Sequence, residues 1–279
     1  MRLTRTATLT ALTIGALTFG GTAVARETAA APDLRSNAFY IVDAHDSTVL
    51  AARNEQRAAP IASITKLMTA LVVLDSGPDM DEVITISRDD VQATLKSGSR
   101  LAPGMRLTRR DLMHLALMSS ENRAAHALCR TYPGGEPACV SAMNQKARAL
   151  GMHSAHFVEP TGLSSSNVSS AVDLARLVRA AAENPVIRDF STDAEHTVYV
   201  RGRPMQFRST NALVKKPDWQ VTVQKTGYIA EAGRCLVMQA IIDGRDVVIV
   251  LLNSWGKLTR IGDANRVRDW METYHPDQG

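Results

Sequence analysis

Ser63 and Lys66 have the residue types and the spacing of a nucleophile and its base. They stand three residues apart at the start of an apolar run, so on a helix the amine would lie over the hydroxyl. A serine becomes a good nucleophile when a neighbouring base takes its proton, and burial lowers a lysine pKa so that the neutral amine can serve as that base. The pair predicts acyl-transfer chemistry, and a helix-capping serine beside a solvated lysine is the alternative.

Two further motifs follow in the chain. An S-x-N motif begins at Ser120, and a K-T-G triplet, Lys225 to Gly227, ends a strand-like stretch. By composition, about one S-x-x-K and about one S-x-N are expected by chance in a chain of this size, but K-T-G in only roughly one chain in twenty. The order of the three motifs therefore carries more weight than any one alone. Unrelated matches are Ser254 with Lys257 for the first motif, and Ser165 and Ser209 for the second.

This trio resembles the penicillin-recognising serine hydrolases, which comprise DD-peptidases and serine β-lactamases. Longer stretches resemble the low-molecular-mass penicillin-binding proteins of the D-alanyl-D-alanine endopeptidase type, over essentially the whole chain after its N-terminal segment. Those stretches are PIASITKLMTALVVLD, LMSSENRAAHAL, YPGG, GMHSAHFVEPTGLSSSNVSSAVDLARL, STNALV and VQKTGYIAEAGRCLVM. The resemblance implies a hydrolase that cuts peptidoglycan peptides beside D-alanine in cell wall biogenesis and cell shape. It implies no metal or cofactor, and covalent inhibition by β-lactams.

The resemblance also assigns the reacting groups. Ser63 would be the acylated nucleophile and Lys66 its general base. Ser120 would relay the proton to the leaving amine. The backbone N–H groups of Ser63 and Tyr228 would form the oxyanion hole.

The remaining family positions would hold the substrate. Asn122 would bind its backbone, and Lys225 and Thr226 would line the opposite wall, where Thr226 can meet a terminal carboxylate. Gly227 would let the substrate backbone approach the strand closely.

The end of the chain bears on which bond is cut. The carboxypeptidase branch usually continues into a β-rich domain and an amphipathic anchoring helix, whereas this chain ends at Gly279 after a polar tail. We therefore expect endopeptidase action on D-alanyl–diaminopimelate cross-links, with carboxypeptidase action as the alternative. We expect at most a peripheral association with the membrane.

Other functions fit the residues less well. A class A β-lactamase needs a glutamate-activated water on an E-x-x-x-N-type loop, and no asparagine follows Glu159 at that spacing. The chain has no G-x-S-x-G elbow for an α/β-hydrolase, and His153 and His156 lack a zincin motif. A non-catalytic peptidoglycan-binding protein is disfavoured because every chemical position is filled.

The elements around the motifs predict an α/β body, an antiparallel sheet flanked by helices, with an inserted all-helical subdomain, as in the DD-peptidase and β-lactamase fold. The body would comprise residues 34–85 and 195–279, and the insertion residues 86–194. Strand patterns predict a pair at 37–54, a hairpin from Thr197, a strand over WQVTVQ, and two strands around an Asp-Gly turn. Helices are predicted at 61–74, after capping pairs beginning at Thr108 and Ser170, and at 263–273; Pro185 would end the second capped helix.

Residues 1–25 read as a secretory signal peptide. They combine a basic start, an apolar segment from Leu9 to Phe19 and an AVA cleavage signal that ends at Ala25. An uncleaved anchor is the alternative, but the apolar stretch is short for a membrane span. We therefore expect a periplasmic protein. The formal charge of +4 would fall to +2 with the loss of Arg2 and Arg5, and with only 5% aromatic residues this disfavours a nucleic-acid partner.

The three cysteines are predicted to form one disulfide and one buried thiol. Cys129 and Cys139 flank a stretch with two prolines and a glycine pair, just after a helix that is expected to carry Ser120 and Asn122 and whose far end the bond would fix. In an oxidising compartment such a pair is expected to bond, and the bond would be structural. Two separate buried thiols are the alternative. Cys235, in a strand pattern, would be a buried small residue.

Overall fold

The computed structural model describes residues 31–95 and 97–273. The predicted signal peptide, residues 1–25, lies outside the described residues. Among the helices of the described part, none combines the length and apolarity needed to cross a membrane.

Strands and helices alternate along the chain in the order that the sequence patterns suggest. The strands are β1 (Ala38–Asp43), β2 (Val49–Arg53), β3 (Ala59–Pro60), β4 (Val83–Thr85), β5 (Arg106–Thr108), β6 (Val168–Ser169), β7 (Glu195–Val200), β8 (Arg203–Arg208), β9 (Gln220–Ile229), β10 (Gly233–Ile242) and β11 (Arg245–Ser254). The α-helices are α1 (Thr65–Asp75), α2 (Arg88–Ala93), α3 (Arg109–Met118), α4 (Asn122–Arg130), α5 (Gly135–Ala149), α6 (Ala171–Glu183), α7 (Pro185–Thr192) and α8 (Thr259–Thr273).

The main sheet has five antiparallel strands in the order β2-β1-β11-β10-β9. Its central strands are buried on both faces because helices cover both sides. Asp243 and Gly244 join β10 to β11 with φ of 50° and 74°, the left-handed pair that a two-residue hairpin turn requires. Strand β9, which carries the K-T-G triplet, forms an edge of this sheet. This arrangement confirms the predicted antiparallel α/β body.

The two faces of the sheet are covered differently. Helix α8 contacts β10 and β11 on one face, and its apolar side forms a separate small core with that face. Helix α6 contacts β1, β9, β10 and β11 on the other face and joins the sheet to the remaining helices. Helix α1 lies in the middle of that larger core, in contact with α3, α4, α5 and α6. The base of the candidate site is therefore held by the most buried helix.

Several predicted boundaries are refined by the structure. The helix predicted at 61–74 is a 3₁₀ turn, Ala62–Ile64, followed by α1. Pro185 does more than end a helix: α6 stops at Glu183, and Pro185 is the first residue of α7. Helix α8 begins at Thr259, four residues before the predicted start. The caps at Thr108 and Ser170 are confirmed, since each hydroxyl accepts from the backbone N–H three residues later.

Strands β7 and β8 form the predicted hairpin but make a separate two-stranded sheet that contacts α3 and β5. The middle of the chain also contains the short sheets β4–β5 and β3–β6. The division into a body at 34–85 and 195–279 and an insertion at 86–194 stays a prediction.

The predicted disulfide is present. Cys129, near the end of α4, bonds Cys139 in α5, with their Cα atoms 5.5 Å apart. Cys235 is a buried free thiol in β10, as predicted, and burial raises its pKa to about 11. Because Ser120 precedes the first residue of α4, the disulfide fixes the helix that follows Ser120 rather than a helix that contains it.

A buried ionic network also ties α4 to its neighbours. The ring of His126 contacts Asp90 through Nδ1 at 2.7 Å and Glu136 through Nε2 at 3.2 Å. Burial lowers the pKa of His126, but the hydrogen bond to Asp90 and the charge of Glu136 outweigh it, and the net pKa is raised. Arg130 also contacts Asp90, at 2.9 Å. The imidazolium form is therefore stabilised between the two carboxylates.

Candidate active site

The turn that carries Ser63 is held in an unusual conformation from two sides. Ala62 has a left-handed φ of 48°, and the turn precedes α1 directly. A Cβ at Gly162 would overlap the carbonyl oxygen of Ala62 and lie 2.8 Å from Ser63 N. A Cβ at Gly227 would lie 2.9 Å from Ile61 O and 3.2 Å from Ser63 N. Only glycine permits this close approach, so both glycines position the backbone of the predicted nucleophile.

Lys66 lies beside Ser63, as its spacing predicts. Its Nζ is 2.8 Å from Ser63 Oγ, 2.6 Å from Asn122 Oδ1 and 2.6 Å from the carbonyl oxygen of Thr161. An ammonium has three N–H donors, and these three oxygens accept all of them. Of the three partners, only the hydroxyl of Ser63 also carries a proton to give. A neutral Lys66 can therefore keep its two other contacts while it accepts the proton of Ser63.

The surroundings of Lys66 make the neutral amine accessible near neutral pH. Its side chain is almost completely buried, and burial lowers its pKa from 10.5 to about 7. The carboxylates of Glu159 and Glu121 act in the opposite direction, because a negative charge stabilises the ammonium. The effect of burial on the pKa is larger than that of the two carboxylates. The amine is therefore close to the midpoint between its protonated and neutral forms near neutral pH, as a general base requires.

Ser120 occupies a strained turn between two helices. Helix α3 ends at Met118 and α4 begins at Asn122, and Ser120 between them has a left-handed φ of 61°. Glu121 caps α4 by accepting from the N–H groups of Arg123 and Ala124. The cap fixes the turn, and Asn122 in the first turn of α4 then reaches Lys66. Left-handed non-glycine residues cost free energy and cluster at functional sites.

The K-T-G triplet forms the opposite wall. The buried Lys225 donates from Nζ to the carbonyl oxygen of Thr226 at 3.0 Å. Burial lowers its pKa well below the usual value, and the positive charges of Lys66 and Arg260 lower it further. The hydroxyl of Thr226 contacts that of Thr210 at 2.6 Å, which links the wall to the segment after β8.

A loop centred on Glu159 presents the Thr161 carbonyl that contacts Lys66. The Glu159 carboxylate accepts from the N–H groups of Thr161 and Gly162, each at 2.6 Å, and from the side-chain amide of Asn167 at 3.0 Å. These bonds shape the turn that presents the Thr161 carbonyl to Lys66. With both oxygens occupied, Glu159 organises the loop, and this disfavours a role in activating water.

The unrelated motif matches serve other purposes. Ser254 contacts the hydroxyl of Ser36 at 2.6 Å, and Ser209 accepts from the backbone of Asn211. Ser165 lies exposed in the Glu159 loop. His153 and His156 are exposed loop residues, and no group of metal-binding side chains occurs among residues 31–95 and 97–273.

Some residues of the site are not predicted from the sequence. Thr161 acts through its backbone carbonyl, which leaves no signature in residue type. Thr210 stands in STNALV, but its partner Thr226 is identifiable only in three dimensions. Arg260 donates from Nη1 to the carbonyls of Gly227 at 2.9 Å and Cys235 at 3.2 Å, and its position in a helix gives no hint of this contact.

Comparison with known proteins adds to this geometry. A family model described as D-alanyl-D-alanine carboxypeptidase matches residues 25–256. Two curated relatives are each named D-alanyl-D-alanine endopeptidase. The Pseudomonas aeruginosa protein is 46% identical over 243 residues, which is 86% of this chain and 78% of the relative. The Escherichia coli protein is 41% identical over 251 residues, which is 89% of this chain and 81% of the relative.

Solved structures show the same fold. A DD-transpeptidase from Streptomyces has a TM-score of 0.81 and 27% identity, over 87% of this chain and 99% of that one. A D-alanyl-D-alanine carboxypeptidase from Mycobacterium tuberculosis has a TM-score of 0.79 and 29% identity, over 88% of this chain and 94% of that one. The predicted DD-peptidase-like architecture is thereby confirmed.

Proposed function

Because the chain belongs to the D-alanyl-D-alanine carboxypeptidase family and is a serine-type DD-peptidase, we propose that it hydrolyses peptidoglycan cross-links next to D-alanine as an endopeptidase. The relatives named endopeptidase support this choice of bond. The observation that carries the mechanism is the contact of 2.8 Å between the buried Lys66 amine and Ser63 Oγ.

Acylation would begin when Ser63 Oγ attacks the carbonyl carbon of the D-alanine residue. The hydroxyl proton passes to neutral Lys66 as the new C–O bond forms. The negative charge on the carbonyl oxygen would be stabilised by the N–H groups of Ser63 and Tyr228. The C–N bond then breaks, and the proton reaches the leaving amine from Lys66 through Ser120, which leaves an ester on Ser63.

Deacylation would reverse these roles. Lys66, neutral again after the amine has left, takes a proton from an incoming water, and the resulting hydroxide equivalent attacks the ester carbonyl. The C–O bond to Ser63 breaks and the proton returns to its oxygen, so the enzyme is restored and a free carboxylate is released. No step needs a metal or a redox cofactor.

The other wall would orient the substrate. Asn122 would bind the peptide backbone opposite β9, and Thr226 with Lys225 would face the part of the substrate beyond the cut. A β-lactam would place its strained carbonyl at the same position and acylate Ser63, so penicillins are proposed as covalent inhibitors. The proposed location is the periplasm, where both peptidoglycan and an oxidised Cys129–Cys139 bond are expected.

Mass spectrometry of digested sacculi tests the choice of bond. Incubation with the purified protein should convert dimeric muropeptides into monomers, and the Ser63→Ala variant should not. Removal of only the terminal D-alanine from pentapeptides would instead establish a carboxypeptidase. Rapid, repeated hydrolysis of nitrocefin would establish a β-lactamase.

Labelling with a fluorescent penicillin tests the acyl-enzyme directly. The parent protein should form a covalent adduct that Ser63→Ala abolishes. A non-catalytic binding protein would form no adduct, and the substitution would then change nothing.

A further inference from the structure

A cavity of about 670 Å³ lies between α6 and the main sheet, apart from the candidate active site. Its walls come from the second half of α6, strands β10 and β11, the residues that follow β1 and the residue that follows α5. None of its lining residues belongs to the S-x-x-K, S-x-N or K-T-G motifs. Cavities of this size hold small-molecule ligands in many proteins.

Sheet register separates this cavity from the nucleophile. Cys235 in β10 pairs with Gly227, the glycine pressed against Ser63. Gln239, which lines the cavity, is four residues further along β10, about 13 Å away at ~3.3 Å per residue. The cavity is therefore a second place where a ligand can bind.

Two polar side chains line this cavity on a sheet face that otherwise buries apolar residues. Side chains alternate along a strand, and the nearest neighbours of Gln239 and Asp246 on that face are Val237 and Val248, both in the large core. Gln239 is only 8% exposed and donates from Nε2 to Asp246 Oδ2 at 2.7 Å. Gln239 Oε1 and Asp246 Oδ1 are buried and have no hydrogen-bond partner within residues 31–95 and 97–273. Unsatisfied buried oxygens cost free energy, so two in one place indicate a missing donor.

The charge of Asp246 is also uncompensated. Its neighbour Arg245 pairs with Asp43 instead, at 3.1 Å, and Asp246 makes no ion pair in the described part of the chain. Burial raises the pKa of the Asp246 carboxyl, and the negative charge of Asp43 raises it further, although the hydrogen bond from Gln239 acts in the opposite direction. An ammonium beside Asp246 would supply both the positive charge and the missing N–H donors. The last torsion of these side chains is soft, so their oxygens can turn toward such a group.

Two arginines of α6 line the same cavity. Arg179 is fixed by its bonds to Ser47 Oγ, at 2.8 Å from Nη1, and to the carbonyl oxygen of Ala44 from Nη2. Arg176 bonds Asp173 through Nη1 at 2.5 Å, and its side chain is 42% exposed, so other N–H donors of its guanidinium remain for a ligand. A guanidinium recognises a carboxylate with two parallel hydrogen bonds. The cavity thus offers acceptor oxygens from the sheet and guanidinium donors from the helix.

We propose that this cavity binds a zwitterionic amino-acid end, with its ammonium beside Asp246 and its carboxylate at Arg176. The lining is balanced in the same way, because its two arginines are matched by two carboxylates, Asp246 and Glu183. In peptidoglycan, the second amine and carboxylate of a diaminopimelate residue form such an end when that residue is not cross-linked. Hydrolysis of a D-alanyl–diaminopimelate bond adds water across the C–N bond and frees this amine, so the choice of source rests on the proposed function. Free D-alanine shares the chemistry but would fill little of the cavity.

Calorimetry on the penicillin-acylated protein tests binding while the active site is blocked. The probe is N-acetyl-L-alanyl-γ-D-glutamyl-diaminopimelate, whose one free amine is that of the diaminopimelate end. Two matched probes each remove one charge: acetylation of that amine removes the ammonium, and lysine in place of diaminopimelate removes the carboxylate beside it. The parent should bind the first probe at least ~10-fold more tightly than either matched probe, the scale of one hydrogen bond to a charged group.

Variants assign each preference to its side chain. Asp246→Asn, which keeps the size of the side chain, should lose the preference for the free amine but keep the preference for diaminopimelate over lysine. Arg176→Gln should do the reverse. Arg203→Gln, which removes an exposed arginine from the separate β7–β8 sheet, should change neither ratio. Penicillin should label every variant at the parent rate, which shows that each is folded.

Equal affinity of the parent for the three probes would overturn the inference, as would unchanged ratios in both Asp246→Asn and Arg176→Gln. Tighter binding of D-alanine than of the tripeptide, weakened by both substitutions, would support the site and make the free amino acid its occupant. Failure to cleave cross-links, with both preferences intact, would overturn the proposed function and leave this inference standing. If penicillin does not acylate the protein, the same titrations on the untreated protein decide the inference through the two variants.

Discussion

The acylation rate should follow the protonation state of Lys66. With a pKa lowered from 10.5 to about 7, about half of the amine is neutral at pH 7. At a pKa of 10.5 the neutral fraction would be about 0.03%, so burial increases the reactive form about 1,600-fold. The neutral amine is the base, so the rate should rise about tenfold per pH unit below the pKa and level off above about pH 8.

The assay is the second-order rate of labelling by a fluorescent penicillin, measured from about pH 5 to about pH 9.5. Lys66→Ala should slow labelling by at least ~100-fold, the scale of losing a general base. Lys66→Arg keeps the positive charge but does not lose its proton in this range, so its rate should stay low at every pH. Glu121→Gln keeps an acceptor oxygen for the cap of α4 but removes one negative charge, so the inflection should move to lower pH.

Three results would refute this reasoning. A parent rate that does not depend on pH in this range would show that Lys66 does not control acylation. An inflection near the ordinary lysine pKa would show that burial does not lower the pKa of Lys66. Labelling of Lys66→Ala at the parent rate would show that another group is the base.

Three further predictions concern the surroundings of the site. Gly227→Ala should slow penicillin labelling by at least ~10-fold, because its methyl group would press on the turn that carries Ser63. Gly98→Ala, which has open space around it, should label at the parent rate. Equal labelling rates for the two variants would contradict the close approach of Gly227. Thiol counting on the denatured, unreduced protein should find one free thiol, and three free thiols would contradict the disulfide. Reduction of the Cys129–Cys139 bond should lower the free energy of unfolding by about 2–3 kcal/mol. Because the pKa of His126 is raised in the folded state, its protonation stabilises the fold fully below the unfolded-state pKa, and this contribution is lost as pH rises through the folded-state pKa. The free energies of unfolding of the parent and of His126→Gln, measured with urea, should therefore converge at alkaline pH. A difference that stays constant with pH would refute the assignment.

Much of the architecture follows from local sequence. Alternating apolar residues predict β1, β2 and the β9–β11 strands, and the Asp243–Gly244 pair predicts the hairpin turn, because strand period and turn dihedrals depend on neighbouring residues alone. The caps at Thr108 and Ser170 follow for the same reason. The exact starts of α1 and α8 do not, since the 3₁₀ turn at Ser63 and the first turn of α8 depend on contacts with distant segments.

The sequence by itself determined which residues could do the chemistry. Spacing places Lys66 over Ser63 within one turn, and the resemblance of three motifs identifies the remaining candidates. The tertiary structure decided whether they meet: Lys66 also contacts Asn122, 56 residues away, and Thr161, 95 residues away. It decided the pKa of Lys66 too, because burial is a property of the assembled core and not of any short stretch. Thr161 acts through its backbone carbonyl, Thr210 through a hydroxyl contact with Thr226, and Gly162 through its close approach to the turn of Ser63. Each of these depends on a partner that is distant in the sequence, so only the folded chain shows how they hold the site.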